Sequence, residues 1–383
     1  MKANKMCAIL GNEHEYNGLL PLTANRPLST LYFDCKYRIM DFALSSAVNA
    51  NIRTVYMILN EGRFKSVFDH LGGGREWGLD SIGSYQYLGF YQDILRKKAE
   101  GKPYFSDMIG FLKKSKSEYT VFFGNKMLCN VDLRSILDVH QASDSKITVV
   151  FKRVPKEKIA PDDCILTLED DNRVKQTDIF SELDETADLY NLSMSIFLVK
   201  TDWLIDLLHK GQNAGVPASV QELLNREMTR TNTRAYEYTG YLSNIYDIKS
   251  YYDANMDMLD PEHFNTLLFS SQRVITRTKN EVATHFYDSS DVNSSQFATG
   301  CVIKGKVDRS LISRRTTIEE GARVKDSVIM SNAQIRRGAK LQYAILDKNV
   351  EVEAGVTIQG TPENPVVITK DSHIVADIYG GEN

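Results

Sequence analysis

Ten apolar residues in the last quarter of the chain keep a spacing that few folds can use. Val307, Ile312, Ile318, Val324, Ile329, Ile335, Leu341, Leu346, Val352 and Ile358 follow one another at steps of 5, 6, 6, 5, 6, 6, 5, 6 and 6 residues, so every three steps span 17. Neither the 3.6-residue period of a helix nor the two-residue alternation of a strand produces this series. A triangular coil does. It takes three short strands per turn, and each flat face turns one aliphatic side chain inward. Three segments line up at the 17-residue offset: IEEGARV (318–324), IRRGAKL (335–341) and VEAGVTI (352–358). Gly321, Gly338 and Gly355 fall on one corner, where a tight turn or a positive φ is needed. The expectation is a left-handed parallel β-helix from roughly residue 296 to 370.

The first two-thirds follow a different rhythm. MCAIL (6–10), TVYMIL (54–59), YTVFF (119–123), KITVVF (146–151) and LSMSIFLV (192–199) read as strands, and ILTLEDDNRVKQ (165–176) as a hairpin around Asp171-Asn172. Between them, DFALSSAVNA (41–50), RFKSVFDHL (63–71), DLRSILDVH (132–140) and TDWLIDLLH (201–209) have helical spacing. Phe64, Val67, Phe68 and Leu71 make one helix face. Asp132 is placed to cap the third helix, and Thr201 or Asp202 the fourth. Alternation of this kind implies an α/β domain built on a doubly wound, mainly parallel sheet. The reading divides the chain into residues 1–255, a connector over 256–295 with a polar linker SSDVNSS (289–295), and a coil domain over 296–383.

Charge and composition narrow the partners. Lys plus Arg number 46 against 50 for Asp plus Glu, a net −4, which argues against nucleic acid or a membrane surface as the main partner. The cysteines Cys7, Cys35, Cys129, Cys164 and Cys301 form no C-x-x-C unit, as expected of free thiols in a reducing cytoplasm. The run MCAIL is too short for a signal peptide core, and no stretch has the apolar length of a membrane span. Hexapeptide coils also occur in acyltransferases, which need a basic histidine on the coil. None of the histidines lies between 302 and 360, so acyl transfer is not expected.

A doubly wound domain followed by such a coil resembles the sugar-nucleotide pyrophosphorylases. LPLTANRPLSTLYFDCKYRIMDFALSSAVNANI (20–52) is similar to the opening of bacterial glucose-1-phosphate adenylyltransferase (ADP-glucose pyrophosphorylase), and GGGREWGLD (72–80) and SYYDANMDML (250–259) resemble later blocks of that family. The family reaction joins glucose 1-phosphate to ATP with release of pyrophosphate. It requires a backbone cradle for the triphosphate, a cation near the leaving oxygens, carboxylates for Mg²⁺ and a lysine on the sugar phosphate.

The same resemblance implies that these parts are missing. The family's G-G-x-G-x-R-L loop before P-L-T is here GNEHEYNGLLPLT (11–23). Gly18 stands where the arginine belongs, and Glu13, Glu15 and Tyr16 stand among the glycines. R-A-K-P becomes Arg26-Pro27-Leu28-Ser29, with Leu28 for the lysine, and F-V-E-K-P becomes Phe180-Ser181-Glu182-Leu183-Asp184, with Leu183 for the sugar-phosphate lysine. The two metal carboxylates become amides. S-G-D-H is Phe123-Gly124-Asn125-Lys126, and D-V-G-T is Asn244-Ile245-Tyr246-Asp247. An amide can ligate Mg²⁺ but brings no charge. Losing one transition-state contact costs about 10²–10³ in rate, and here several go together.

The resemblance therefore points to the non-catalytic, GlgD-type branch. It implies no catalytic residues, no bound metal or cofactor in this chain, Mg²⁺ in a catalytic GlgC-type partner, and a heterotetramer. Lys36, Arg38 and Arg53 match positions linked in the family to phosphorylated effectors; pairing with Asp34 or Asp41 is the plainer alternative. Two rival functions stay open at this point: an active transferase with a remodelled site, in which Asp247 supplies a carboxylate, and a sugar-phosphate-sensing module. Gly72-Gly73-Gly74 reads as a helix C-cap and loop, and the pairs Arg314-Arg315 and Arg336-Arg337 as outer faces of the coil.

Overall fold

The computed structural model describes residues 5–81, 83–183, 187–215, 218–270 and 272–380. The chain forms two compact units, and neither is one continuous stretch. The first joins Met1–Glu15, Met40–Asn244 and Ser270–Ile275; the second joins Tyr16–Ile39, Ile245–Phe269 and Thr276–Asn383.

The first unit holds a nine-stranded sheet. Its strands in chain order are β1 (Met6–Leu10), β2 (Thr54–Leu59), β3 (Tyr85–Phe90), β4 (Tyr119–Phe123), β5 (Ile147–Val154), β6 (Cys164–Leu168), β7 (Val174–Ile179), β8 (Tyr190–Lys200) and β9 (Thr233–Glu237). The α-helices among the described residues are α1 (Ile39–Asn49), α2 (Lys65–Leu71), α3 (Tyr91–Ala99), α4 (Ser106–Ser115), α5 (Leu133–Ala142), α6 (Thr201–Asn213), α7 (Val220–Glu227), α8 (Ile248–Met256) and α9 (Pro261–Leu268). The main path of the sheet runs β7-β6-β8-β4-β1-β2-β3, with β5 and β9 beside β8.

Both faces of the sheet are covered. Met6, Ala8 and Leu10 of β1 enter one core with residues of α1, α2 and α5, whereas Cys7 and Ile9 enter another with residues of α3, α4, α6 and α7. That is why MCAIL and TVYMIL read as unbroken apolar runs rather than alternating ones. The sheet is mixed. β1, β2, β3 and β4 pair in parallel, as do β5 and β9, but β8 runs antiparallel to β4, β5 and β6. Among the described residues no α-helix lies between β5 and β8, and strands joined without a crossover helix pair antiparallel.

In the second unit, three parallel sheets of six, six and five strands form the sides of a left-handed β-helix. All ten of the periodic apolar residues are at most 2% exposed. They stack in register: Val307, Val324, Leu341 and Ile358 on one side; Ile312, Ile329 and Leu346 on the next; Ile318, Ile335 and Val352 on the third. Gly321, Gly338 and Gly355 have φ of 75°, 72° and 77°, the left-handed corner that glycine accepts without strain.

The coil begins earlier than its period suggests. His285–Phe286 and Asp291–Asn293 already pair with the next turn, so SSDVNSS is a strand and its corners rather than a linker. It lacks the aliphatic signature because these first-turn residues are exposed. Two further expectations change. The N-cap of α6 is Lys200, with no side-chain cap bond; Thr201 lies inside the helix and its hydroxyl meets that of Thr120 at 2.9 Å. On α2, Val67 and Leu71 are buried but Phe68 is 45% exposed, because a seven-residue helix presents a narrower inner face than its pattern. Asp132 caps α5 through Arg134 N–H, and Gly72 ends α2, as expected.

Two other segments join the second unit. Tyr251 Oη donates to the Tyr32 carbonyl at 2.6 Å, Tyr252 Oη to that of Asp326 at 2.7 Å, and Gln296 Nε2 to that of Met258 at 2.6 Å. Arg26 and Asp347, 321 residues apart and both buried, form an ion pair.

Candidate functional site

In the first unit, the loop after β1 is where a phosphate cradle is expected. Gly11 leaves the strand, its N–H bonding Phe123 O at 2.9 Å. A Cβ at Gly11 would lie 2.8 Å from the Phe122 ring and 2.9 Å from Glu13 Oε2, so only glycine fits. Glu13 folds back into this space and is buried. Its Oε1 accepts from Ser219 Oγ at 3.2 Å; its Oε2 is buried without a hydrogen-bond partner. Burial pushes the Glu13 carboxyl up, with the charge of His14 the strongest opposing influence. Asn60 Nδ2 faces the carbonyls of Asn12 and Glu13 and a carboxylate oxygen of Glu15, which also pairs with Arg63 at 3.1 Å. An anion nest presents convergent N–H groups. This loop turns carbonyls and acids toward its own donors.

The end of β4 holds the first amide position. Gly124 lies against a bulge in β8, with Ser195 at φ 53°, and its N–H bonds Ser195 O at 2.8 Å. Asn125 follows, half-buried, with Nδ2 buried and unpartnered. Lys126 then turns inward. Its Nζ is 2.5 Å from Asp163 Oδ1, and the two side chains are 6% and 4% exposed. Asp163 Oδ2 accepts from Asn244 Nδ2 at 2.6 Å and from the Ala160 N–H at 2.7 Å. A carboxylate accepts only, so the atom of Asn244 facing it is the amide nitrogen. Asn244 is held there by strand pairing of Ser243–Asn244 with Met127–Leu128. Burial pushes the Asp163 carboxyl up, and Lys126, Ala160 and Asn244 each pull it back.

This donor set does not fit magnesium. The buried carboxylate is already shared by an ammonium, an amide and a backbone N–H, and a hard dication needs oxygen ligands with negative charge. Lys126–Asp163–Asn244 is the part of the site that sequence reasoning missed. One signal was available: a lysine at the end of a buried strand requires a buried acid somewhere. Nothing in PDDC (161–164) marks Asp163 as that acid.

Leu183 is half-buried and packs against the first unit's core, so it serves packing rather than an anion. Asp184, next in that motif, lies outside the described residues. The remaining positions belong to the second unit. Gly18 sits in a short turn where a Cβ would come within 2.9 Å of Asp247 Cβ and 3.0 Å of Tyr246 O. An arginine has no room there. Asp247 is the N-cap of α8 in a capping box with Ser250, its Oδ1 accepting the Ser250 N–H at 2.7 Å, so its carboxylate is occupied. Leu28 is 3% exposed.

The effector candidates have local partners. Lys36 Nζ lies 4.8 Å over the Tyr37 ring. The Arg38 guanidinium lies 3.2 Å over the Tyr32 ring, and Lys348 approaches the same ring at 5.0 Å. Burial alone would raise the Tyr32 phenol, but these two cations outweigh it and hold it at about 7. Arg53, in the first unit, donates to the carbonyls of Val48 and Ile52 at the end of α1. Asp41 bonds His70 at 2.6 Å, while burial pushes Asp34 up to about 7 against the pull of Lys36. On the coil, Arg315 pairs with Glu281, Arg336 with Glu319 and Glu351, and Arg337 with Glu320. Among the described residues, Glu351, Glu353 and His373 are close enough to share a metal ion, yet Glu351 is taken by Arg336 and Glu353 by His373.

The mixed sheet and the coil of short parallel strands define a class, and the family comparisons agree. The nucleotidyl transferase model matches residues 17–260, and the GlmU-like C-terminal hexapeptide model matches residues 281–365. The chain belongs to the nucleotidyl transferase family. Within it, the chain is 27% identical over 324 residues to the glycogen biosynthesis protein GlgD of Bacillus subtilis (strain 168), covering 84% of this chain and 83% of that one. It is 29% identical over 370 residues to the GlgD protein of Geobacillus stearothermophilus, covering 96% of both. It is 28% identical over 321 residues to a glucose-1-phosphate adenylyltransferase of Bacillus cytotoxicus, covering 81% of this chain and 83% of the relative.

Proposed function

We propose that this chain is a non-catalytic, regulatory subunit of a hetero-oligomeric glucose-1-phosphate adenylyltransferase acting in glycogen biosynthesis. Its partner is a catalytic GlgC-type subunit, in a heterotetramer in the cytoplasm. Magnesium belongs to that partner, and this chain takes no cofactor. Its role is to stabilise the competent conformation of the partner or alter its response to a small phosphorylated effector. The observation that supports this reading best is the buried Lys126–Asp163–Asn244 network, where an internal ammonium and an amide satisfy the Asp163 carboxylate. The names of the relatives support the pathway.

The test is a comparison of three preparations: this chain, the catalytic subunit, and the co-purified pair, each supplied with ATP, glucose 1-phosphate and Mg²⁺. The expected result is no ADP-glucose from this chain alone and a pair faster than the catalytic subunit. Turnover by this chain at the partner's rate overturns the reading, and so does a pair no faster than the partner. The rival active-enzyme reading relied on Asp247, whose capping role counts against it. Calorimetry against glucose 1-phosphate, fructose 1,6-bisphosphate and ATP separates a sugar-phosphate sensor from a scaffold.

A further inference from the structure

The margins of the nine-stranded sheet are guarded unequally. β7 carries Lys175 and Asp178 and a register shift between Val174 and Gln176, and β9 carries Arg234 and Glu237. Charges and bulges of this kind keep an edge strand from pairing with another chain. β3, YQYLGF, has no charge, no proline and no break in its six-residue register with β2. Among the described residues no strand pairs with its outer side. All six of its residues are half-buried, whereas all six of β2 are buried. An uncharged, unbroken strand left at a margin is a template for one more strand.

The charges beside β3 are sorted along its length. At its start, Lys114 of α4 lies 4.2 Å over the Tyr85 ring, exposed and with no ion pair among the described residues. Near its end is a notch of about 50 Å³, lined by Gly89 and Phe90, the carboxylates of Asp93 and Asp107, and the rings of Tyr56 and Tyr87. Arg96 and Lys97, which pair with these carboxylates, do not line it. A Cβ at Gly89 would collide with Tyr56 Oη, and Tyr56 is 2% exposed with its hydroxyl lacking a hydrogen bond among the described residues. Antiparallel pairing of two copies lays the start of one strand against the end of the other. A two-fold axis through Tyr87 sets Tyr85 opposite the partner's Gly89 and Gln86 opposite the partner's Leu88, with like faces of the two sheets on one side. That register carries Lys114 to the partner's notch, twice by symmetry, where two carboxylates and an unpartnered hydroxyl face it. We propose that β3 is a self-pairing edge, which joins two copies of this chain through a continuous sheet, with Lys114 of each copy seated in the Asp93–Asp107 notch of the other. The pairing does not depend on whether the chain activates a catalytic subunit.

The two unequal margins make the test internally controlled. The full chain is followed by sedimentation velocity across a micromolar concentration series. Reversible self-association is expected, weakened by salt. Hydrogen exchange on the same series should slow at residues 85–90 as copies pair and stay constant at 174–179. Lys114→Glu and Asp93→Lys should each weaken the pairing about tenfold or more, since each sets like charges face to face. Mixed in equal amounts, the two variants should pair with each other at close to the parent's affinity, because both contacts of the mixed dimer then join opposite charges. Both positions lie on helices at the surface, and an unchanged melting temperature reports an intact fold. Lys114→Gln replaces Lys114→Glu if the latter does not fold, with the same direction expected. The proposal is overturned by a chain that stays monomeric throughout, by association that leaves exchange at 85–90 unchanged, by a folded Lys114 variant that pairs as tightly as the parent, or by a mixture no tighter than either variant alone. Protection of 85–90 that arises only when a catalytic subunit is added overturns it as well, and assigns the edge to that subunit.

Discussion

The coil and the sheet unit solve the problem of burial in opposite ways. In the coil, each inward residue packs against others 17 positions away, and the same solution repeats turn after turn. In the sheet unit, the decisive contacts occur once. Lys126 meets Asp163 across 37 residues, and Asn244 meets Asp163 across 81. Repetition tolerates conservative change, because one rung resembles the next. A single buried charge network does not, because its partner exists at one place only.

Four substitutions bear on that contrast, taken from the largest expected effect to the smallest. Ile335→Asp puts an unpaired charge at the centre of a dry coil. It should cost about 4–5 kcal/mol or more and remove the coil's cooperative transition in urea. A loss under about 1 kcal/mol would mean that the coil core is not the close-packed stack described here. Lys126→Met strands the Asp163 carboxylate and should cost about 3–5 kcal/mol. The double variant Lys126→Met with Asp163→Leu should recover most of that loss, since an apolar pair can replace a buried ion pair. If the double variant is no better than the single, the two residues do not act as a pair.

Gly338→Val forces a β-branched residue to φ 72° and should cost about 1–3 kcal/mol. The same substitution at Gly73, where a Cβ meets nothing within 4 Å, should cost less, and equal losses would refute the corner argument. Glu13→Gln is the smallest and depends on pH. The folded pKa of Glu13 is raised above its usual 4.5, so folding favours the protonated form. Its contribution is therefore most favourable below 4.5 and declines as pH rises through the folded pKa. Glu13→Gln removes that decline. Its melting temperature should exceed the parent's at pH 8 and match it near pH 4; a parent that melts higher at pH 8 contradicts the burial of an unpartnered carboxyl oxygen.

The same split explains what could be read in advance. The ten coil positions, the caps at Asp132 and Gly72, and most sheet strands were legible because each depends on neighbours a fixed few residues away. Gly18, Leu28, Asn125, Leu183 and Asn244 were legible as departures from a family pattern. Their present occupations were not. That Gly18 is closed off by Asp247, that Leu28 is buried, and that Asn244 donates to Asp163 depend on segments brought together by the fold. The first coil turn was missed because its exposed residues lack the aliphatic signal. The α6 cap was misjudged because Thr201 spends its hydroxyl on Thr120 instead of on its own helix.

The sequence by itself determined the two architectures and which residue type stands at each candidate position, since periodicity and residue type are local properties of a chain. Only the tertiary structure decided what those side chains contact, and that residues 16–39 and 245–269 join the coil's compact unit. The reason is physical: a buried charge must find its counter-charge wherever the chain path places one, and spacing along the chain does not encode that path.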